Sequence, residues 1–302
     1  MANTALITGG NSGIGLGCAR ALAESGWQVL IASRNRGASE AAVRGMRGQV
    51  EALDLDLASR DSVRALVKEI ASRGLPLRAL VCNSGLQFNS GPQLSGDGYE
   101  LTFAVNHLGH FLLANLLLDT LAANAPARIV VVSSGVHDPK MRTGMPHPAI
   151  ADLDTLAATG GPKRGSFNGR LAYVNSKLCN LWFAYELARR TAGRGITVNA
   201  WEPGLVPGSG LIRDYPAPVR WIWDWVLPGI AAGLSPFLPS ISTATRSGRD
   251  LARMVTDPAL EKTTGKYFPS HTRWRETPSS DESYDRAKAE ALWQASERLS
   301  RL

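Results

Sequence analysis

The sequence predicts an α/β protein built on a doubly wound parallel sheet of about seven strands, in three layers, with an apolar lid inserted near the carboxyl ends of the strands. Three observations predict it. Short β-rich runs alternate with longer helical patterns, which implies βαβ crossovers. The runs are apolar throughout, as strands buried on both faces are. A glycine-rich turn follows the first run directly.

Composition agrees with this class. The chain has 302 residues, 44% hydrophobic and 20% charged, which excludes global disorder and provides a sizeable core. The length prior alone allows two domains, but one α/β sheet with insertions absorbs it, and residues 1–302 are read as a single such domain. Thirty-three Lys and Arg against 26 Asp and Glu give a net charge of +7. That balance suits a phosphorylated ligand, an anionic membrane or nucleic acid, and the scattered arginines argue against nucleic acid. Cys18, Cys82 and Cys179 lie far apart with no CxxC pair, so neither a disulfide framework nor a zinc knuckle is expected. Unpaired cysteines and an N-terminus without a basic region or long apolar run lead to the expectation of a cytoplasmic protein.

Strands are predicted at 3–8, 27–32, 50–55, 78–83, 128–133 and 196–201, and helices at 13–25, 38–47, 59–73, about 98–123 and about 170–191. A helical extension is expected at about 281–300. Two stretches, 135–169 and about 205–243, break the rhythm where an open α/β sheet places its ligand crevice. The second carries Trp221, Trp223, Trp225 and Phe237 among several prolines and is read as a substrate lid. Leu205, Leu211, Trp221 and Trp225 are the expected substrate contacts. The competing reading is that the tryptophans pack the lid onto the core. Arg220, Asp224 and the prolines interrupt any membrane-spanning run, while peripheral membrane contact through the lid stays open, helped by the positive charge.

After the first strand come Gly9, Gly10, Asn11, Ser12, Gly13, Ile14 and Gly15, then an amphipathic helix. Glycines there let backbone N–H groups approach a pyrophosphate, which the positive helix N-terminus stabilises. At the end of the second strand, where a carboxylate would bind an NAD ribose, stand Ser33, Arg34 and Asn35. A carboxylate repels a 2′-phosphate and a guanidinium binds it bidentately, so the expected cofactor is NADP(H). Asp56, followed by Leu57, fits an adenine contact, or else a helix cap near Ser59. Asn83, Ser84 and Gly85 close the fourth strand near the expected adenine ribose.

Tyr173 and Lys177 stand four apart in YVNSK, on one face of a predicted helix. An ammonium near a tyrosine favours the phenolate and brings a pKa of about 10 toward working pH. Ser134, in RIVVVSS, closes the fifth strand, where it can hydrogen-bond a substrate oxygen; Ser133 is its competitor.

In order along about residues 3–270, TGGNSGIG at 8–15, CNSG at 82–85, NHLG around Asn106, the Ser133–Ser134 pair, YVNSK and Pro203–Gly204 resemble the short-chain dehydrogenase/reductase family. The resemblance implies a Rossmann-type fold and an oxidoreductase. It implies that Tyr173 exchanges a proton with the substrate oxygen, that Lys177 binds the nicotinamide ribose and lowers the tyrosine pKa, and that Ser134 orients the carbonyl. Asn106 would hold a water in a proton relay, and Pro203, Gly204, Val206 and Ser209 would flank the nicotinamide. The amide of Asn106 could instead repair a helix kink.

GYELTFAVNHLGHFLL and LAYVNSKLCNLWFAYELARR are similar to the retinol dehydrogenases and the light-dependent protochlorophyllide reductases, and the C-terminal TDPALEKTTGKYF adds to the latter similarity. The latter carry a functional cysteine after the Pro-Gly, where this chain has Leu205. The expectation is therefore an NADP(H)-dependent enzyme interconverting carbonyl and alcohol on a bulky apolar retinoid, steroid, terpenoid or polyketide. Protochlorophyllide-type C=C reduction and a non-catalytic NADP(H) sensor are the alternatives. His107 and His110 have no clustered third ligand, so no metal is expected, and no GxSxG elbow suggests a hydrolase. The assembly is expected to be a monomer or a homodimer, with 135–169 able to block the usual dimer helices.

Overall fold

The computed structural model describes residues 2–302 apart from 164, 166, 211, 213, 236, 239, 273 and 274, so the expected substrate contact Leu211 lies outside the described residues. Its strands are β1 (Thr4–Thr8), β2 (Gln28–Ser33), β3 (Val50–Asp54), β4 (Leu77–Cys82), β5 (Ala127–Val132), β6 (Ile196–Glu202) and β7 (Tyr267–Pro269). All pair in parallel, in the order β3-β2-β1-β4-β5-β6-β7. The chain winds outward from β1 to β3, then returns to β4 and runs the other way. The reversal between β1 and β4 opens a crevice beyond their carboxyl ends.

Helices cover both faces. On one side α1 (Gly13–Glu24), α2 (Arg36–Arg44) and, further along the chain, the helix Ala244–Thr256 pack against alternate residues of the central strands, with Cys18, Leu22 and Leu251 meeting Ile7 and Ile31. On the other side lie α3 (Arg60–Ser72), α4 (Leu101–Ala123) and α6 (Gly169–Arg190), with the short helix α5 (Leu153–Thr159) at their edge. Fully buried Phe111, Trp182 and Trp201 are each worth roughly 1.5–3 kcal/mol of transfer free energy or more. Helix α4 is long and apolar enough by composition to cross a membrane, and its apolarity is explained by position, because 78% of its most apolar window is buried inside the protein.

After β6 come the lid helix at 217–234, α7, then α8 (Ala244–Thr256) and α9 (Arg286–Ser300). The expected extension at 281–300 is thus a short 3-10 turn, Asp281–Tyr284, followed by α9. Trp293 of α9 sits edge-on to Phe111 of α4 at 4.9 Å and stacks on Phe183 of α6 at 6.2 Å. Burial on every side is why α6 shows little amphipathic periodicity. Segment 135–169 is pinned to α6 by Asn175, whose amide nitrogen donates to the carbonyls of Ala149 and Gly160.

Candidate active site

One cavity of about 1170 Å³ runs along the carboxyl ends of the strands, from the glycine turn to the lid. At its first end, Gly9, Asn11, Ser12, Ile14 and Gly15 form the wall. Gly9 has φ +67° and Gly13 +55°, and a Cβ on Gly15 would collide with the carbonyl oxygen of Gly9, so the turn can exist only with these glycines. Gly13 itself stands behind this wall, against the backbone of Ser209. Ser12 is the N-cap of α1 and makes no side-chain cap bond, which leaves the first N–H groups of the helix facing the cavity. An anion fits there on charge and on donors.

The second wall holds Ser33, Arg34 and Asn35. Asn35 caps α2 by accepting the Ala38 N–H, and the Ser33 hydroxyl pairs with Ser39. Arg36 is already engaged, with Glu40 and Asp54 at 2.9 and 2.8 Å. Arg34 is exposed, lines the cavity, and has no ion-pair partner among the described residues. Asp56 and Leu57 lie beside it; one Asp56 oxygen accepts the Ala58 N–H, while Ser59 is the cap of α3. Asn83, Ser84 and Gly85 complete this region, drawn to β1 because Thr8 Oγ1 accepts both the Asn83 and Ser84 N–H groups. His110 braces the same hydroxyl from α4 at 2.8 Å. These residues fit a phosphorylated dinucleotide.

Tyr173 and Lys177 project from α6 into the middle of the cavity, with Ser134 opposite at the end of β5. The Ser134 hydroxyl faces the phenol closely enough to lower its pKa. Ser133 is excluded from that role because its hydroxyl donates to the Lys177 carbonyl at 2.9 Å. Lys177 Nζ donates to the Val132 carbonyl at 3.2 Å and lies 5.4 Å from the tyrosine ring centre. Burial pushes the ammonium down to about 8. Burial also pushes Tyr173 up to about 12, the Ser134 hydroxyl opposes this, and Glu202 adds to it. Desolvation of the phenolate is the largest cause of this upward direction, with the ammonium held against Val132. The phenol is held protonated, as a donor.

Three further residues expected at the site do not line the cavity. Asn106 sits in a π turn of α4, and its amide clamps the Leu86 backbone in both directions, at 2.9 and 3.0 Å, and donates to Ser176. Its side chain is a brace between elements and does not line the cavity. Trp221 and Trp225 also lie outside it, 60% and 76% exposed, whereas Trp223 lines it. Residues two apart on a helix face opposite ways, so the middle tryptophan turns inward and its neighbours share the outer face. The Trp223 indole N–H is buried and has no partner among the described residues. Pro203, Gly204, Leu205, Val206 and Ser209 line the cavity, as expected. Gly204, at φ +73°, turns the chain beneath Ser240.

A polar cluster that the sequence reading missed lies below Ser134. His137 donates from Nδ1 to the Ser134 carbonyl and accepts the Ser280 N–H at Nε2. Glu202, at the end of β6, meets Gly204, Tyr267 and His271. The one signal for it was a carboxylate closing an apolar strand at the crevice.

Comparison with known proteins agrees with this geometry. Residues 3–146 match the family described as short chain dehydrogenase. The chain is 36% identical to protochlorophyllide reductase A of Oryza sativa subsp. japonica, over 97% of this chain and 79% of that protein. It is 37% identical to the WW domain-containing oxidoreductase of Homo sapiens, over 97% and 67%. A crystal structure of an uncharacterised Mycobacterium paratuberculosis protein superposes with TM-score 0.73 at 30% identity, covering 99% of this chain and 93% of the other. The glycine turn, the serine, tyrosine and lysine in one cavity, and this kinship over nearly the whole length make the chain a member of the short-chain dehydrogenase/reductase family, oxidoreductases that use nicotinamide cofactors.

Proposed function

We propose that the protein is an NADP(H)-dependent reductase that converts a carbonyl on a bulky apolar compound into an alcohol. The observation that carries the reading is the convergence of a protonated Tyr173, Ser134 and Lys177 in one cavity that also holds the glycine turn and Arg34. A reduced nicotinamide, when bound, supplies hydride to the carbonyl carbon. Ser134 donates to the substrate oxygen and orients it. Tyr173 transfers its phenolic proton to that oxygen as negative charge develops. Lys177, the buried cation of the site, stabilises the phenolate left behind. Arg34 supports NADP(H) over NAD(H), because its guanidinium is unengaged beside the α1 turn.

The apolar substrate class rests on the lid. Ile212, Tyr215 and Trp223 line the cavity, while Trp221, Trp225 and Phe237 are exposed apolar side chains of the same lid segment. On a chain of charge +7, those side chains are suited to peripheral contact with an anionic lipid surface, from which an apolar substrate would enter. The three buried, unpaired thiols suit a reducing cytoplasm.

Kinship to a protochlorophyllide reductase favours a second reading, C=C reduction. Against it, Leu205 lines the cavity where a thiol would be needed, and burial pushes all three cysteine thiols above their ordinary value. The test is NADPH consumption in darkness and under illumination with retinal, steroid ketones, polyketide ketones and protochlorophyllide. Dark turnover of a carbonyl is expected. Turnover of protochlorophyllide in light alone would replace the first reading with the second, and NADPH binding without any turnover would make the protein a sensor.

A further inference from the structure

Strand β6 ends on a buried carboxylate that lines the same cavity as Tyr173. Glu202 Oε1 accepts the Gly204 N–H at 3.1 Å. Its Oε2 accepts the Tyr267 hydroxyl at 3.3 Å and lies 3.7 Å from His271 Nδ1. A Cβ on Gly135 would stand 3.4 Å from Oε1, so the carboxylate is packed against the backbone that follows Ser134.

This placement is electrostatically unfavourable for the reaction. Reduction puts negative charge on the substrate oxygen between Ser134 and Tyr173, and a buried carboxylate nearby opposes it. An amide would hold the Gly204 N–H equally well, so the turn alone does not account for a charge. His271 also lines the cavity, and the Glu202 carboxylate 3.7 Å from its Nδ1 raises its affinity for a proton. The pair therefore presents an acceptor and a donor side by side, next to the reacting centre.

We propose that Glu202 and His271 form a second polar anchor that takes a hydroxyl on the carbon adjacent to the reacting carbonyl, which makes the preferred substrate an apolar α-hydroxy ketone or aldehyde. A hydroxyl donates to Glu202 and accepts from His271. An ammonium can only donate, and a plain methylene can do neither, so the hydroxyl alone uses both groups. The inference rests on the carbonyl-reductase reading and narrows its substrate class.

The test is dark NADPH consumption with an aryl α-hydroxy ketone, its deoxy parent and its α-amino analogue, in wild type, Glu202→Gln and His271→Ala. NADPH binding, followed by fluorescence, reports whether each variant is folded. In wild type, kcat/KM for the hydroxy ketone is expected to exceed that of the parent at least tenfold, mainly through KM. Both variants are expected to cut this ratio at least fivefold. A wild-type ratio near one, a ratio unchanged in both variants, equal losses on both ketones, or preference for the amine would each overturn the anchor. Turnover of the parent ketone with a ratio near one overturns the anchor alone; no turnover of any carbonyl overturns the reductase reading with it.

Discussion

The Nδ1–H of His137 donates to the carbonyl oxygen of Ser134 across 2.6 Å, and the same ring accepts the Ser280 N–H at its other nitrogen. The neutral Nδ1–H tautomer is thereby fixed, and burial, which lowers the pKa, keeps the ring neutral. Ser134 is held from behind by a side chain that never meets the substrate. Replacing His137 with Phe keeps a ring and removes both bonds. It is expected to lower kcat tenfold to about a hundredfold with little change in NADPH affinity, because small displacements of an orienting group are costly. Steady-state kinetics and a cofactor titration check this.

Lys177 lies almost fully buried, with its pKa pushed from 10.5 to about 8. A base whose folded-state pKa is lowered binds fewer protons folded than unfolded, so it destabilises the fold fully below about pH 8 and not at all above about 10.5. Lys177→Met is expected to stabilise the protein by up to about 3 kcal/mol at pH 7, with the gain fading toward pH 10.5. Val132 keeps a partner in Asn180. Turnover is expected to be lost in the same variant. Denaturant unfolding at pH 7 and pH 10 gives the comparison.

Arg34 and Arg36 differ in what already holds them. Arg34→Ala is expected to raise KM for NADPH by about ten- to a hundredfold and leave NADH nearly unchanged, the scale of a lost charge-assisted bond to phosphate. Arg36→Ala is expected to do less, since its guanidinium is shared by Glu40 and Asp54. An equal effect on both cofactors would remove the 2′-phosphate assignment.

In the lid, Trp223→Ala is expected to raise KM for bulky apolar substrates several-fold more than for small ones. Trp225→Ala, on the outer face, is expected to leave both unchanged and to weaken any binding to anionic vesicles. Kinetics on a paired substrate set and a vesicle co-sedimentation assay separate the two faces.

The parallel sheet and the glycine turn were legible in the sequence, because each depends on local pattern: apolar runs, and glycines before a helix. The inward tryptophan was not, since an apolar helix flanked by prolines carries no periodic cue to its buried face. Nor was the polar cluster of His137, Glu202, Tyr267 and His271, which three separate stretches of chain bring together. The brace made by Asn106 depends on a π turn within α4, which residue spacing alone does not reveal. The direction of the tyrosine pKa was not legible either. Spacing places Lys177 near Tyr173, but burial, which spacing does not report, decides the direction.

The central claim is that Tyr173 delivers the proton. Its most direct measurement is NADPH oxidation in darkness with an apolar carbonyl, by wild type and Tyr173→Phe, beside NADPH affinity for both. Turnover is expected to fall by about a hundredfold to ten-thousandfold in the variant while affinity stays within a few-fold. Retained turnover in Tyr173→Phe, with the cofactor still bound, would contradict it.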